Sequence, residues 1–242
     1  MKERDNRSGS GVFVAGASSG IGRAVALELG AHGYDVFMFA RNSSALTEVA
    51  AQIQHQGGRA YTYAGDARNP EDVGEAVQIA SEKLNLGVLV NCVGSNTRMR
   101  SLTDMTLDVW QDVLSTNLTA ALLMTQAVLP VFRDQRAGLL VHISSRAALQ
   151  PDLSGTAYQA SKAGVAALAH ATYLEEKDHG IRVTVVYPGF TDTPLVLQRP
   201  VPPTADELAR ALQPEDVAIL VAAIVEMPAR AYIPDVSIYP SN

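Results

Sequence analysis

Cysteine is almost missing from these 242 residues. Cys92 stands alone, so an internal disulfide is excluded and nothing points to an oxidising compartment. No unbroken apolar run approaches the roughly 20 residues that cross a bilayer. Basic residues are scarce too. Nineteen Lys and Arg against 25 Asp and Glu leave a net charge of −6, which argues against general binding to nucleic acid or membrane surfaces while leaving room for a local basic pocket. The five histidines (His32, His55, His142, His170, His179) lack metal-ligand spacing, so no metal is expected. Ser144 lacks the Gly-x-Ser-x-Gly surroundings of a nucleophile elbow, which sets aside a serine hydrolase. The opening, MKERDNRSGS, has no apolar core of a signal peptide and reads as a disordered tail over residues 1–10. A soluble, cytoplasmic protein is the expectation.

What remains is an ordinary globular composition, 47% hydrophobic and 18% charged, long enough for one large α/β domain or two small ones. No linker or repeat divides it, so residues 11–242 read as one domain. Short β-rich runs alternate with longer helical ones. Strands are expected at Val12–Ala15, Asp35–Ala40, Ala60–Ala64, Gly87–Cys92, Leu139–Ser144, Arg182–Tyr187 and near Val236–Tyr239. Helices are expected near Ile21–His32, Ser44–Gln56, Pro70–Leu84, Leu107–Arg133, Tyr158–Asp178 and Pro214–Met227. Most of the strands are near-continuous apolar runs, as a parallel sheet covered on both faces requires. The pattern predicts a single-domain Rossmann-type, doubly wound parallel sheet of about seven strands. Gly33, Gly57, Gly138 and Gly180 stand where helices should hand over to strands. The Pro-rich stretch after the sixth strand suggests a substrate lid over about residues 190–213.

Two constellations carry chemistry. The first strand runs into Gly16-Ala17-Ser18-Ser19-Gly20-Ile21-Gly22, which opens a helix. Glycines there let the backbone turn sharply and approach a pyrophosphate, whose charge the helix start favours. The spacing G-x-x-x-G-x-G differs from the G-x-G-x-x-G dinucleotide fingerprint, and alone it could be packing punctuation. The second strand ends at Ala40-Arg41, where an acidic residue would bind the ribose hydroxyls of NAD. A guanidinium suits a 2′-phosphate instead, so NADP(H) is the expected coenzyme. The second constellation is Tyr158-Gln159-Ala160-Ser161-Lys162, a phenol and an ammonium one helical turn apart. A neighbouring cation should lower the pKa of the phenol toward a useful range. Tyr173 and Lys177 repeat the spacing, but fall at the far end of the same helix. Ser145, 13 residues before Tyr158, offers a hydroxyl to a substrate oxygen.

Together these residues resemble the short-chain dehydrogenase/reductase family from about Gly11 to Tyr239. Gly16–Gly22 is similar to its glycine motif, and Asn91-Cys92-Val93-Gly94 to its fourth-strand element. Asn117, Ser145, Tyr158 and Lys162 match its catalytic tetrad in order and approximate spacing. The resemblance implies Tyr158 as acid/base and Lys162 holding the nicotinamide ribose. It also implies Ser145 positioning the substrate and Asn117 supporting a water that links Lys162 to solvent. Asp66 and Ala67 would meet the adenine side, Asn91 and Gly94 the coenzyme, and Pro188, Gly189, Thr191 and Thr193 the nicotinamide carboxamide. The implied function is reduction of a carbonyl or oxidation of an alcohol with NADP(H), by a homodimer or homotetramer. The alternatives are a non-catalytic NADP(H)-binding regulator, or a dehydratase or epimerase on the same fold. Ala15, Cys92 and Val93 depart from the family pattern. Met99, Leu102, Leu149, Leu153, Phe190, Leu195 and Leu197 suggest a mainly apolar substrate cleft. Arg146 stands where a small or apolar residue is usual, and is expected either to contact an anionic or strongly polar substrate group or to be a solvated loop residue.

Overall fold

The computed structural model describes residues 10–241. The expected tail lies outside these residues except for Ser10, whose backbone begins the first strand. Seven strands form one sheet: β1 (Ser10–Ala15), β2 (Asp35–Ala40), β3 (Ala60–Ala64), β4 (Asn85–Asn91), β5 (Gly138–Ile143), β6 (Ile181–Pro188) and β7 (Asp235–Ile238). All pair in parallel, in the order β3-β2-β1-β4-β5-β6-β7. This is the doubly wound sheet expected from the alternating pattern.

The helices are α1 (Gly20–Ala31), α2 (Ser43–His55), α3 (Pro70–Lys83), α4 (Leu107–Leu114), α5 (Ala120–Gln135), α6 (Thr156–Glu176), α7 (Ala205–Ala209) and α8 (Pro214–Val225). Strand alternation divides them between two faces. Val12 and Val14 point to one side, with Val36, Met38 and the apolar faces of α1, α2 and α8. Phe13 and Ala15 point to the other, with Phe37, Phe39 and residues of α3, α5 and α6. Both strands are therefore apolar at nearly every position because both faces are covered. The edge strands β3 and β7 differ, alternating between exposed and more covered residues.

Three expectations need correction. The helix predicted over Leu107–Arg133 is broken by a π-helical turn, Ser115–Thr119, which joins α4 to α5. The whole stretch Leu107–Gln135 is also long and apolar enough, by length and composition, to cross a membrane, which a search for unbroken apolar runs passes over. Here Ala120, Met124, Val128 and Phe132 pack beneath the sheet in the second core. Gly138 is likewise not the residue that ends its helix. Arg136 takes the left-handed conformation (φ 50°) after α5 and donates from Nη2 to the Asp178 carbonyl at 3.1 Å.

The order reverses between β1 and β4, so the segments leaving these neighbouring strands diverge and open a crevice at their carboxyl ends. The segment after β6 covers this end. It carries a 3₁₀ turn at Pro194–Gln198 and the short α7, capped reciprocally by Thr204 and Glu207. A bridge from Thr191 to Leu212 closes its base.

Candidate active site

The turn after β1 lines one side of a groove of about 610 Å³. Gly16 has φ +79°, a conformation that side chains rarely adopt. A Cβ on Gly22 would lie 2.2 Å from the Gly16 carbonyl oxygen, so the first turn of α1 sits directly on the loop. Ser19, at the N-cap of α1, makes no capping hydrogen bond through its side chain, and no acidic residue occupies the first turn. The helix start thus keeps backbone N–H groups and positive dipole for an anion. Gly16, Ser18, Ser19, Gly20, Ile21 and Gly22 all line the groove.

At its far end stand Ala40, Arg41 and Asn42. Arg41 is exposed and has no acidic partner within ion-pair distance among the described residues. Asp66 and Ala67 line the same end with Arg68, which the sequence reading missed. Arg68 donates to Asp66 at 2.6 Å and to Asp112 at 3.0 Å. Its guanidinium holds the Asp66 carboxyl below the usual carboxylate range. The cradle, the uncapped helix start and the unpaired Arg41 fit a dinucleotide with a phosphorylated ribose.

The floor of the groove is Cys92, Val93, Gly94 and Ser95, after β4. Asn91 is not part of it. Its side chain is 3% exposed and turned inward, where Oδ1 accepts from the Val93 amide at 3.0 Å and Nδ2 lies 3.4 Å from His142 Nδ1. Asn91 therefore shapes the turn that Gly94 occupies instead of facing the groove. His142 is fully buried, with Nε2 3.4 Å from the Thr125 hydroxyl. Burial, helped by the Lys162 charge, pushes its pKa down to about 4.

This buried ring has a consequence for acid stability. The native protein refuses a proton that the unfolded chain takes up below its ordinary pKa of 6.5. Stability is therefore lost as pH falls from about 6.5 toward about 4, by ~3 kcal/mol in total. His142→Gln is expected to remove most of this acid-induced loss, read as the difference between urea melts at the two pH values. An identical loss in the variant would refute the assignment.

Tyr158 lies in the first turn of α6, buried at 9% exposure. It lines a second cleft of about 170 Å³, which shares Ile21, Thr193 and Leu195 with the groove. Burial raises the pKa of Tyr158, and a hydrogen bond with the Ser145 side chain pulls it partly back. Lys162, one turn later, has Nζ 5.9 Å from the Tyr158 ring centre and donates it to the Ile143 carbonyl at 2.9 Å. Burial pushes the ammonium down to about 8. The expected acidification of Tyr158 by Lys162 is thus not what the protein alone does: burial dominates both groups and moves both toward their neutral forms. Lys162 also approaches the groove, since a Cβ on Gly94 would lie 3.0 Å from Nζ.

Asn117 sits in the π-helical turn at 1% exposure. Its Oδ1 accepts from the Ser95 amide at 2.7 Å, and its Nδ2 donates to the Ser95 carbonyl at 3.0 Å and to the Ser161 hydroxyl at 2.8 Å. It ties the loop after β4 to α6, so the wide turn holds the groove floor against that helix. Pro188, Gly189 and Thr191 line the second cleft, and Thr193 lines both spaces.

The second cleft is not mainly apolar. Of the seven apolar residues expected there, only Phe190 and Leu195 line it, whereas Leu153 is 96% exposed and Leu102 75%. Arg146 does line it, joined by Arg100 and Arg199, which sequence reasoning missed. No local spacing could have shown these two, because they reach the cleft from loops 99 residues apart along the chain.

Residues 10–200 match the model of the short chain dehydrogenase family. A 3-oxoacyl-[acyl-carrier-protein] reductase from Synechocystis sp. is 35% identical over 225 residues, covering 91% of each chain. Among solved structures, a variant of actinorhodin polyketide ketoreductase with NADPH superposes with a TM-score of 0.88 at 27% identity, covering 97% of each chain. A metagenomic short-chain oxidoreductase in complex with NADP gives a TM-score of 0.84 at 29% identity, covering 98% of this chain and 99% of its own.

Proposed function

Because the chain belongs to the short-chain dehydrogenase family, we propose that it is an NADP(H)-dependent carbonyl reductase, or alcohol dehydrogenase in reverse, with Tyr158 as general acid/base. The observation that carries this reading is the position of Tyr158. It is a buried phenol, hydrogen-bonded to Ser145, on the wall of a small cleft that opens into the groove over the glycine turn.

The turn at Gly16–Gly22 and the start of α1 hold the coenzyme pyrophosphate, Arg41 takes the 2′-phosphate, and Asp66 and Ala67 border the adenine. Lys162, beside Gly94, meets the nicotinamide ribose. When bound, the coenzyme supplies hydride to the carbonyl carbon. Tyr158 gives its Oη proton to the carbonyl oxygen, so the C=O becomes CH–OH and the phenol becomes a phenolate that solvent reprotonates. Burial keeps Tyr158 protonated beforehand, the form a reductase needs. Ser145 orients the carbonyl oxygen, and the Lys162 ammonium stabilises the phenolate. Asn117 positions Lys162 by fixing α6 through Ser161 and the groove floor through Ser95. Self-association into a dimer or tetramer belongs to the same reading, with Leu107, Leu122 and Leu174 exposed on α4, α5 and α6.

The coenzyme assignment has its own test. Arg41→Ala is expected to raise KM for NADPH by ~10- to 100-fold, the effect of losing a charge-assisted contact to phosphate, and to leave KM for NADH within about twofold. Equal effects on both coenzymes would contradict the role of Arg41.

A further inference from the structure

The cleft beside Tyr158 carries more positive charge than reduction of a neutral ketone requires. Arg100 leaves the loop after β4, Arg146 the 3₁₀ turn after β5, and Arg199 the segment after β6, and all three line one space of about 170 Å³. This concentration stands out in a chain of net charge −6. No Asp or Glu pairs with any of the three within ion-pair distance among the described residues. The one carboxylate lining the cleft, Asp152, is engaged by the Ser154 amide at 2.8 Å. Glu207 is held below the usual carboxylate range by hydrogen bonds from Thr204 in the cap of α7, with a smaller pull from the charge of Arg199.

Two of the arginines, Arg100 and Arg199, are also held in place. Arg100 spends Nε on the Thr97 carbonyl at 2.8 Å and one Nη2 hydrogen on the Gln198 carbonyl at 3.1 Å, leaving three N–H donors. Arg199 lies over the Phe190 ring, 4.3 Å from its centre. Burial, with the like charge of Arg199, pulls Arg100 below its ordinary pKa, and the nearby charge of Asp152 opposes this only in part. Ser154 lines the same cleft, and its hydroxyl is the one buried side-chain polar atom without a hydrogen-bond partner among the described residues.

We propose that the substrate is an oxyanion-bearing ketone or aldehyde, a short oxo acid or a phosphorylated hydroxyketone, whose anionic end is clamped by Arg100 and Arg199, with Arg146 at the rim. This rests on the reductase reading above and names the substrate class for that site. A planar guanidinium fork matches two oxygens of a carboxylate or phosphate, and an arriving anion relieves the repulsion between the arginines. Binding energy gathered at that end orients the carbonyl toward Tyr158.

The test compares NADPH oxidation with short oxo acids, hydroxyketone phosphates, and the methyl esters or unphosphorylated forms of the same molecules. The anionic member of a pair should be preferred by at least ~10-fold in kcat/KM, mostly through KM. That ratio should collapse toward one in Arg100→Met. Because Arg100 also ties Thr97 to Gln198, Arg199→Met serves as the second variant, with the same expected collapse. Preference for the acids or for the phosphates distinguishes the two anions. Neutral partners reduced as well as anions would overturn the inference while leaving the reductase reading intact, as would a preference that survives both variants. If no probe is reduced, the reductase reading falls. Calorimetric titration of the same anions into the enzyme–NADP⁺ complex then decides the clamp: Arg100-dependent binding upholds it and no binding overturns it.

Discussion

Tyr158→Phe is expected to lower kcat by at least ~10²-fold with NADPH and a reducible carbonyl, the size typical of removing a general acid. The substitution deletes one oxygen and keeps a ring of the same shape in a site only 9% exposed, so packing and coenzyme binding should persist. Coenzyme affinity, followed by NADPH fluorescence, is therefore expected to stay within about twofold while turnover falls. Tyr173→Phe is the matched control. Tyr173 repeats the four-residue spacing to Lys177, yet it lies about 22 Å along α6 from Tyr158 at 1.5 Å per residue. It stacks on Tyr232 with ring centres 4.0 Å apart. It belongs to packing at the opposite end of the helix, and its loss should leave kcat unchanged. Equal activity in the two variants would reject Tyr158 as the acid.

Lys162→Met is expected to move rate and stability in opposite directions. Removing a cation that stabilises a developing phenolate should cost ~10²- to 10³-fold in kcat, as for other preorganised charge stabilisers. The same cation is a burden to the fold. Its pKa falls from an ordinary 10.5 to about 8 because burial penalises the charged form. That difference corresponds to ~3 kcal/mol of instability at neutral pH, offset by ~1 kcal/mol from the bond to the Ile143 carbonyl. The sign follows from proton counting. Between about pH 8 and 10.5 the unfolded chain keeps a proton the native protein has released, so the penalty is complete below 8 and relieved by 10.5. The Met variant should therefore melt above the parent at pH 7, and this advantage should shrink toward pH 10. A variant less stable than the parent by the same margin at both pH values would refute the account.

The sheet was legible because burial on both faces leaves a plain trace, as in Val12–Ala15 and Asp35–Ala40. The glycine turn and the Tyr158–Lys162 spacing were legible because both are local. What escaped depends on three-dimensional neighbours. A π-helical turn at Ser115–Thr119 has no periodicity of its own in five residues. Whether Asn91 faces the groove or the core turns on strand parity at the last residue of β4, where it lies across from His142. Spacing suggested that Lys162 would acidify Tyr158, but the direction of the shift is set by burial, which spacing does not carry. The polar character of the cleft was missed for a similar reason. Leu102 and Leu153 share loops with lining residues, yet point to solvent.

The reversal of strand order between β1 and β4 has a bearing on how such an enzyme can diversify. The groups proposed to discriminate one coenzyme from another follow β1, β2 and β3, whereas the arginines that would choose a substrate follow β4, β5 and β6. The two sets fall on opposite wings of one scaffold, with only the residues proposed for proton transfer at the seam. Descendants of this chain could exchange one substrate for another while inheriting their electron donor untouched, and the reverse exchange would be equally open to them.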